Sequence, residues 1–196
     1  MKNGESTAPT QRELAERMRA GDESAFDMFL QTHWDPLVRY IASFLGGADD
    51  AKDVAQEAFL RVWERRDGLR ASGSVRAYLY QVARNLAINE TKSRELHRTL
   101  NARYGQESPV FVRSPGREFE SMEVREVVGR AIAALPERRR EAFVLAHLQD
   151  MPHREIAEVM GISPQTVANQ ISAALGELRE TLRPYMSENL HSAALQ

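Results

Sequence analysis

Two amides four residues apart, Gln165 and Asn169, sit in the most informative stretch of the chain, REIAEVMGISPQTVANQISAALGEL from Arg154 to Leu178. Asn and Gln side chains carry a donor beside an acceptor, the pattern that pairs bidentately with an adenine edge in the DNA major groove. Positions i and i+4 share a helix face, so the two amides would be presented together. A second stretch, Leu60 to Arg98, carries nine basic residues against four acids, with Trp63, Tyr78 and Tyr80 interleaved. Positive charge follows a phosphate backbone and aromatic faces stack on unpaired bases, so the mixture suits single-stranded or melting DNA. The competing reading is a solvated basic helix whose aromatics belong to the core. His33, His97, His147, His153 and His191 show no metal-ligand spacing, and no nucleophile motif or phosphate loop occurs. No catalytic residue, metal site or cofactor is predicted.

The element presenting the amides is a helix-turn-helix. Ile156, Ala157 and Met160 supply the buried side of its first helix, and Gly161 suits the positive φ of a tight turn. Ser163 fits an N-cap, with Pro164 at the first helical position, where its missing N–H costs nothing. Val167, Ile171, Ala174, Leu178 and Leu182 define the core side of the second helix. Its other side holds Gln165, Ala168, Asn169, Ser172, Ala173 and Gly176, with no Lys or Arg before Arg179. Phosphate attraction must then come from Arg138, Arg139, Arg140 and Arg154. A helical hairpin packing its small face on another helix is the bland alternative. Gly176 should cost about 1 kcal/mol relative to Ala in a helix interior, unless another backbone approaches it closely.

Helical periodicity covers nearly every patterned segment, without sustained alternation. A stripe from Phe26 to Phe44 is interrupted near Pro36 and stops at Gly46-Gly47; Asp49 or Asp50 caps the next helix, which carries Val54 to Trp63. The segment GLRASG is a loop, and a long helix follows from Val75, turning polar after Asn89. The pattern fails from about Thr99 to Phe119 and returns from Val124 to Leu135. The expected fold is therefore all-α: two small helical domains joined by a flexible linker, the C-terminal one containing the helix-turn-helix. Residues 1–10 read as a disordered N-terminus, 11–98 and 120–185 as the domains, 99–119 as the linker and 186–196 as a tail. Formal net charge is −2 over 196 residues, so any basic footprint is local. Cysteine is absent, which excludes disulfide frameworks and cysteine zinc sites. With no apolar run of membrane-spanning length and a polar N-terminus, no membrane insertion and a cytoplasmic location are expected.

Together these residues resemble an extracytoplasmic-function sigma factor of the bacterial RNA polymerase sigma family. The likeness spans about residues 11 to 185. It rests on AGDESAFDMFLQTHWDPLVRYIASFLG, DDAKDVAQEAFLRVWERRD, SVRAYLYQVARNLAINETKSR and ALPERRREAFVLAHLQDMPHREIAEVMGIS, in that order. The resemblance implies a factor that binds core RNA polymerase and promoter DNA and is held off by an anti-sigma partner. It puts Asp53, Gln56, Glu57 and Leu60 on the polymerase-gripping surface. Arg76, Tyr78, Tyr80, Arg84, Asn85, Asn89 and Lys92 fall on the minus-ten helix, with Asn85 reading a flipped base. Arg154, Ser163, Gln165, Thr166, Asn169, Gln170 and Ser172 fall at the minus-thirty-five contact. The family commonly has Lys or Arg where Ala168, Ala173 and Gly176 stand here. Two domains on a linker could also be clamped together, burying Ala168, Ser172 and Ala173. The rival assignment is a regulator of the two-component output type, which shares the helix-turn-helix but would need a receiver of alternating strands and helices.

Overall fold

Small residues at helical spacing decide how the N-terminal helices meet. The computed structural model describes residues 10–45, 47–69, 73–100 and 122–193, and no strand occurs among them. Helix α1 (Gln11–Arg19) starts with a capping box: Thr10 Oγ1 accepts from Glu13 N at 3.2 Å, and Glu13 Oε2 accepts from Thr10 N at 2.8 Å. Helices α2 (Glu23–Leu45), α3 (Ala48–Glu64) and α4 (Val75–Leu100) pack on one another, with a 3-10 turn at Arg66–Gly68 between the last two. These helices bury eight alanines: Ala25, Ala42, Ala51, Ala55, Ala58, Ala77, Ala83 and Ala87. Methyl-sized side chains at a helix contact let the axes approach closely. Phe59 closes the end of this packing, with its ring 6.3 Å from Phe26, 5.9 Å from Phe29 and 6.0 Å from Trp34.

One local expectation is corrected and one refined. The stripe interrupted near Pro36 belongs to a single helix: α2 runs through it, with Phe29 on one side and Leu37, Val38, Tyr40 and Ile41 on the other buried. Tertiary packing outweighs the one intrahelical bond that proline removes. Helix α3 is capped by Gly47 rather than by an aspartate. Asp49 and Asp50 lie in its first turn, where carboxylates favour the helix dipole, and Asp50 also pairs with Arg94 at 2.8 Å.

The C-terminal helices are α5 (Met122–Ala134), α6 (Glu137–Phe143), α7 (His153–Met160) and α8 (Pro164–Ala193), with a π-helical turn at Val144–Leu148. The turn between α7 and α8 forms as its residues dictate. Gly161 has φ +65°, and Ser163 Oγ accepts from Thr166 N at 3.1 Å. Ile156, Val159, Met160, Val167, Ile171, Ala174 and Leu178 make the core beneath. Helix α8 continues to Ala193, through much of the segment read as a tail. A Cβ on Gly176 would meet nothing within 4 Å, so no backbone approaches it and the glycine is not sterically required. Helix α4 takes in Thr99 and Leu100 of the segment read as a linker; that segment's residues 101–119, and residues 1–9, lie outside the described residues.

Acid should loosen the N-terminal domain in two steps. Burial, with the Arg76 charge second, lowers the His33 pKa to about 4. Bonds from Ser24, Arg17 and the Ala25 amide lower Asp22 to about 2. Both folded values lie below the unfolded ones, so both groups stabilise the fold at high pH and stop doing so as pH falls. The windows run from about 6.5 down to 4 for His33 and from about 3.8 down to 2 for Asp22. Thermal midpoints measured against pH should fall through both, with His33→Gln removing the upper step and Asp22→Asn flattening the lower. A midpoint level between pH 7 and pH 4 in the wild type would contradict the His33 assignment.

Candidate nucleic-acid interface

The residues proposed for the minus-ten helix divide between two faces of α4. Asn85, Asn89 and Lys92, at i, i+4 and i+7, form an exposed strip. Arg76, Tyr80 and Arg84, at i, i+4 and i+8, lie on an adjacent face turned to the C-terminal helices. Successive residues are ~100° apart on a helix, so one element serves both strips. Tyr78 is half-buried and lines a cleft of about 390 Å³ with Leu69, Ser74, Gln81 and Glu158. In the GLRASG loop, Arg70, Ala71 and Ser72 lie outside the described residues. Trp63 is half-buried, its ring tilted 38° to that of Phe26 at 4.8 Å, with the Arg66 guanidinium 4.6 Å over it.

The inward face of α4 is fully engaged. Arg84 donates to both oxygens of Glu141, at 2.6 and 3.2 Å, and Tyr40 donates to Glu141 Oε1 at 2.9 Å. Arg76 reaches Glu155 Oε2 from Nε and Nη2 at 3.0 and 2.8 Å, and the Gln149 carbonyl at 3.5 Å. Tyr80 donates to Gln149 Oε1 at 2.8 Å, and Gln81 to the Glu158 carbonyl at 3.4 Å. The Glu141 side chain is 1 % exposed and Arg84 16 %. Burial and the adjacent Glu141 charge raise the Tyr40 pKa well above the usual phenol value, so it remains a donor. Burial is the largest influence on Arg84 and works against its charge, but the bond to Glu141 and the nearby Glu141 charge together outweigh it and raise its pKa.

Local structure sets out these acceptors. The π turn is followed by Asp150 at φ 46°, a conformation that Asp tolerates better than most residues, and Gln149 is held just before it. None of Tyr40, Glu141, Gln149 or Glu155 is among the predicted site residues. One signal was readable: Glu141 falls three and four residues before Val144 and Leu145, a core register for an ionisable side chain. The interface is built on α6, the π turn and α7, whereas Ser172 stays exposed and Ala168 and Ala173 half-buried.

On α8, Ser163, Gln165, Asn169 and Ser172 are exposed, with Thr166 and Gln170 half-buried. Gln165 Nε2 donates to Asn169 Oδ1 at 3.2 Å, holding the two amides side by side. Of the four arginines expected to meet phosphates, Arg139 pairs with Glu177 and Arg140 donates to the Ala133 carbonyl at 2.9 Å. Arg138 and Arg154 are exposed. On α3, Asp53, Gln56, Glu57 and Leu60 stand at i, i+3, i+4 and i+7, all exposed, with Leu60 48 % exposed. Glu57 also pairs with Arg61 at 2.7 Å.

The family model for Sigma-70 region 2 matches residues 29–96, and that for Sigma-70, region 4 matches residues 125–178. The chain belongs to the sigma-70 family. It is 27% identical over 190 residues to the RNA polymerase sigma-H factor of Pseudomonas aeruginosa, covering 93% of this chain and 98% of that one. It is 26% identical over 175 residues to the ECF RNA polymerase sigma factor SigW of Bacillus subtilis, covering 85% and 94%. Identity is also 26%, over 183 residues, to the ECF RNA polymerase sigma-E factor of Escherichia coli, covering 89% and 95%. Two of these three relatives carry the extracytoplasmic-function name; as a sigma factor the chain binds core RNA polymerase and promoter DNA. Two solved structures share the fold. CnrH in complex with the cytosolic domain of CnrY gives a TM-score of 0.65 at 24% identity, covering 89% of this chain and 97% of that one. The sigma factor RpoE from Bartonella quintana, in complex with the anti-sigma factor NepR, gives 0.68 at 21%, covering 81% and 96%. No described helix of this sigma factor is long and apolar enough to cross a membrane.

Proposed function

We propose that the chain, without catalysis of its own, brings core polymerase to promoters in the cytoplasm through three separate surfaces, under control of an anti-sigma partner. Asp53, Gln56, Glu57 and Leu60 on α3 grip polymerase. The helix α4 reads and melts the minus-ten element, Asn85 taking an unpaired base while Arg76, Arg84 and Lys92 meet the backbone. Gln165, Asn169 and Ser172 read the minus-thirty-five element, with Arg138 and Arg154 supplying phosphate contacts. Residues 11–98 and 120–185 are the two domains. The observation that carries this reading is the exposed strip Asn85, Asn89 and Lys92 on the same helix as Arg76 and Arg84. It offers base-edge donors and acceptors beside cations, as unpaired DNA requires. Support for an anti-sigma partner is the fold shared with RpoE, solved with NepR.

The test is transcription by core polymerase with the purified chain on genomic fragments, with start sites mapped. Starts sharing a minus-ten and a minus-thirty-five element are expected. Loss of preference at one minus-ten position in Asn85→Ala, at a scale of about 1–3 kcal/mol, would assign that contact. No start dependent on the chain would overturn the reading.

A further inference from the structure

Four side chains stand three or four positions from Asn169 along α8: Gln165 and Thr166 before it, Ser172 and Ala173 after it. Residues at that spacing are neighbours on a helix surface. Thr166 Oγ1 is engaged with Ser163 Oγ, 2.8 Å away, at the cap, and Ala173 has no polar side-chain group. Gln165 is the one that holds Asn169, donating from Nε2 to Oδ1 at 3.2 Å. Both amides are exposed, so packing fixes neither of them. The bond gives the pair a direction. It turns the Asn169 oxygen towards the start of the helix, where the unpaired N–H groups and the helix dipole favour it. Among the described residues, nothing bonds Asn169 Nδ2 or Gln165 Oε1.

We infer that Gln165 is a positioning residue for Asn169, and that it makes the two amides opposite readers: Asn169 a donor that takes guanine, Gln165 an acceptor that takes adenine or cytosine. This rests on the reading of α8 as the minus-thirty-five helix. A free Asn pairs with adenine by accepting from N6 and donating to N7 together. Here the oxygen that N6 requires is already held. The remaining donor, Nδ2, suits guanine, whose N7 and O6 both accept. Adenine would set its own N6 donor beside Nδ2, cytosine offers a donor alone, and thymine has a single acceptor. Gln165 is left with Oε1, which accepts from adenine N6 or cytosine N4. A bond formed before DNA arrives also removes a rotation that a free Asn side chain would lose on binding.

The experiment uses the full chain with core polymerase on a template library built on a promoter mapped as above and randomised across the minus-thirty-five element. Sequencing gives transcript yield for each template. The base that Asn169 reads is the position whose preference disappears in Asn169→Ala. In the wild type, guanine there should exceed adenine by about tenfold. Gln165→Glu offers Asn169 only acceptors, so the Asn169 amide turns over, bonds through Nδ2 and presents Oδ1. Preference at that position should then move from guanine to adenine or cytosine. Gln165→Lys keeps a donor against Oδ1, and guanine should persist. Glu and Lys are helix formers as good as Gln, so neither variant should disturb the exposed start of α8, with circular dichroism as the check. Their charges act on phosphate contact, which changes yield on all templates alike and leaves base preference alone. Guanine retained in Gln165→Glu would overturn the positioning role. Guanine lost in Gln165→Lys as fully as in Gln165→Glu would do the same, as would a wild-type preference for adenine. Asn169→Ala with every preference unchanged defeats instead the reading of α8 itself, and the inference with it.

Discussion

Phe59→Ala is expected to destabilise the N-terminal domain by about 3–5 kcal/mol, the range for deleting a buried aromatic ring. Phe59 is buried and contacts the rings of Phe26, Phe29 and Trp34. Removing it leaves a cavity that rigid helices cannot close, and three aromatic pairs lose their geometry at once. Domains of this size are stable by about 5–15 kcal/mol, so the loss is a large share of the total. Both tryptophans, Trp34 and Trp63, lie in this domain, so their emission follows its unfolding without contribution from the C-terminal helices. Urea titration followed by tryptophan emission should show the midpoint moving to much lower denaturant. Phe59→Leu should fall between. An Ala variant within about 1 kcal/mol of wild type would mean that the ring cluster is not where the domain's stability resides.

The double variant Asp53→Lys/Glu57→Lys should lose core polymerase binding by on the order of a hundredfold, because reversing interface charges costs several kcal/mol. Its fold should barely change. Both residues are exposed, and the Glu57–Arg61 pair is a surface i, i+4 contact worth only about 0–1 kcal/mol. Lysine is also as good a helix former as glutamate. Competition against wild type for a limiting amount of core reads the affinity directly, with circular dichroism as the check on folding. Retained competition by the double variant would move the polymerase contact off α3.

Helix identity was legible wherever one face is apolar. The stripes of α3, α4 and α8 could be traced residue by residue, and the Gly161 turn followed from local backbone chemistry. Helix α1 escaped, because nine residues with three buried side chains leave too short a pattern. The interrupted stripe near Pro36 left open whether one helix runs through it, because the burial that holds α2 together comes from distant helices. At the candidate site, spacing put Gln165 and Asn169 on one face and the resemblance put a residue set on α4, but neither gave their neighbours. Arg76 and Arg84 look like solvent-facing cations until Glu155 and Glu141 arrive from 79 and 57 residues away. Such pairings depend on how two domains dock, which no local periodicity encodes. The same holds for Arg139 and Arg140, which read as phosphate contacts and are tied instead to Glu177 and the Ala133 carbonyl.

The alanines between α2, α3 and α4 confine how this domain can change over time. Enlarging one to valine forces two extra carbons between helices already in close contact, at about 1–3 kcal/mol. Trimming it to glycine loosens the helix by about 1 kcal/mol. Either change therefore costs stability, and these three helices hold eight buried alanines. Exposed positions such as Gln56 and Asn89 carry no such penalty. Drift is channelled outward, to the places where promoter and partner are read, so recognition can be rewritten while the distance between the reading helix and the gripping helix stays constant.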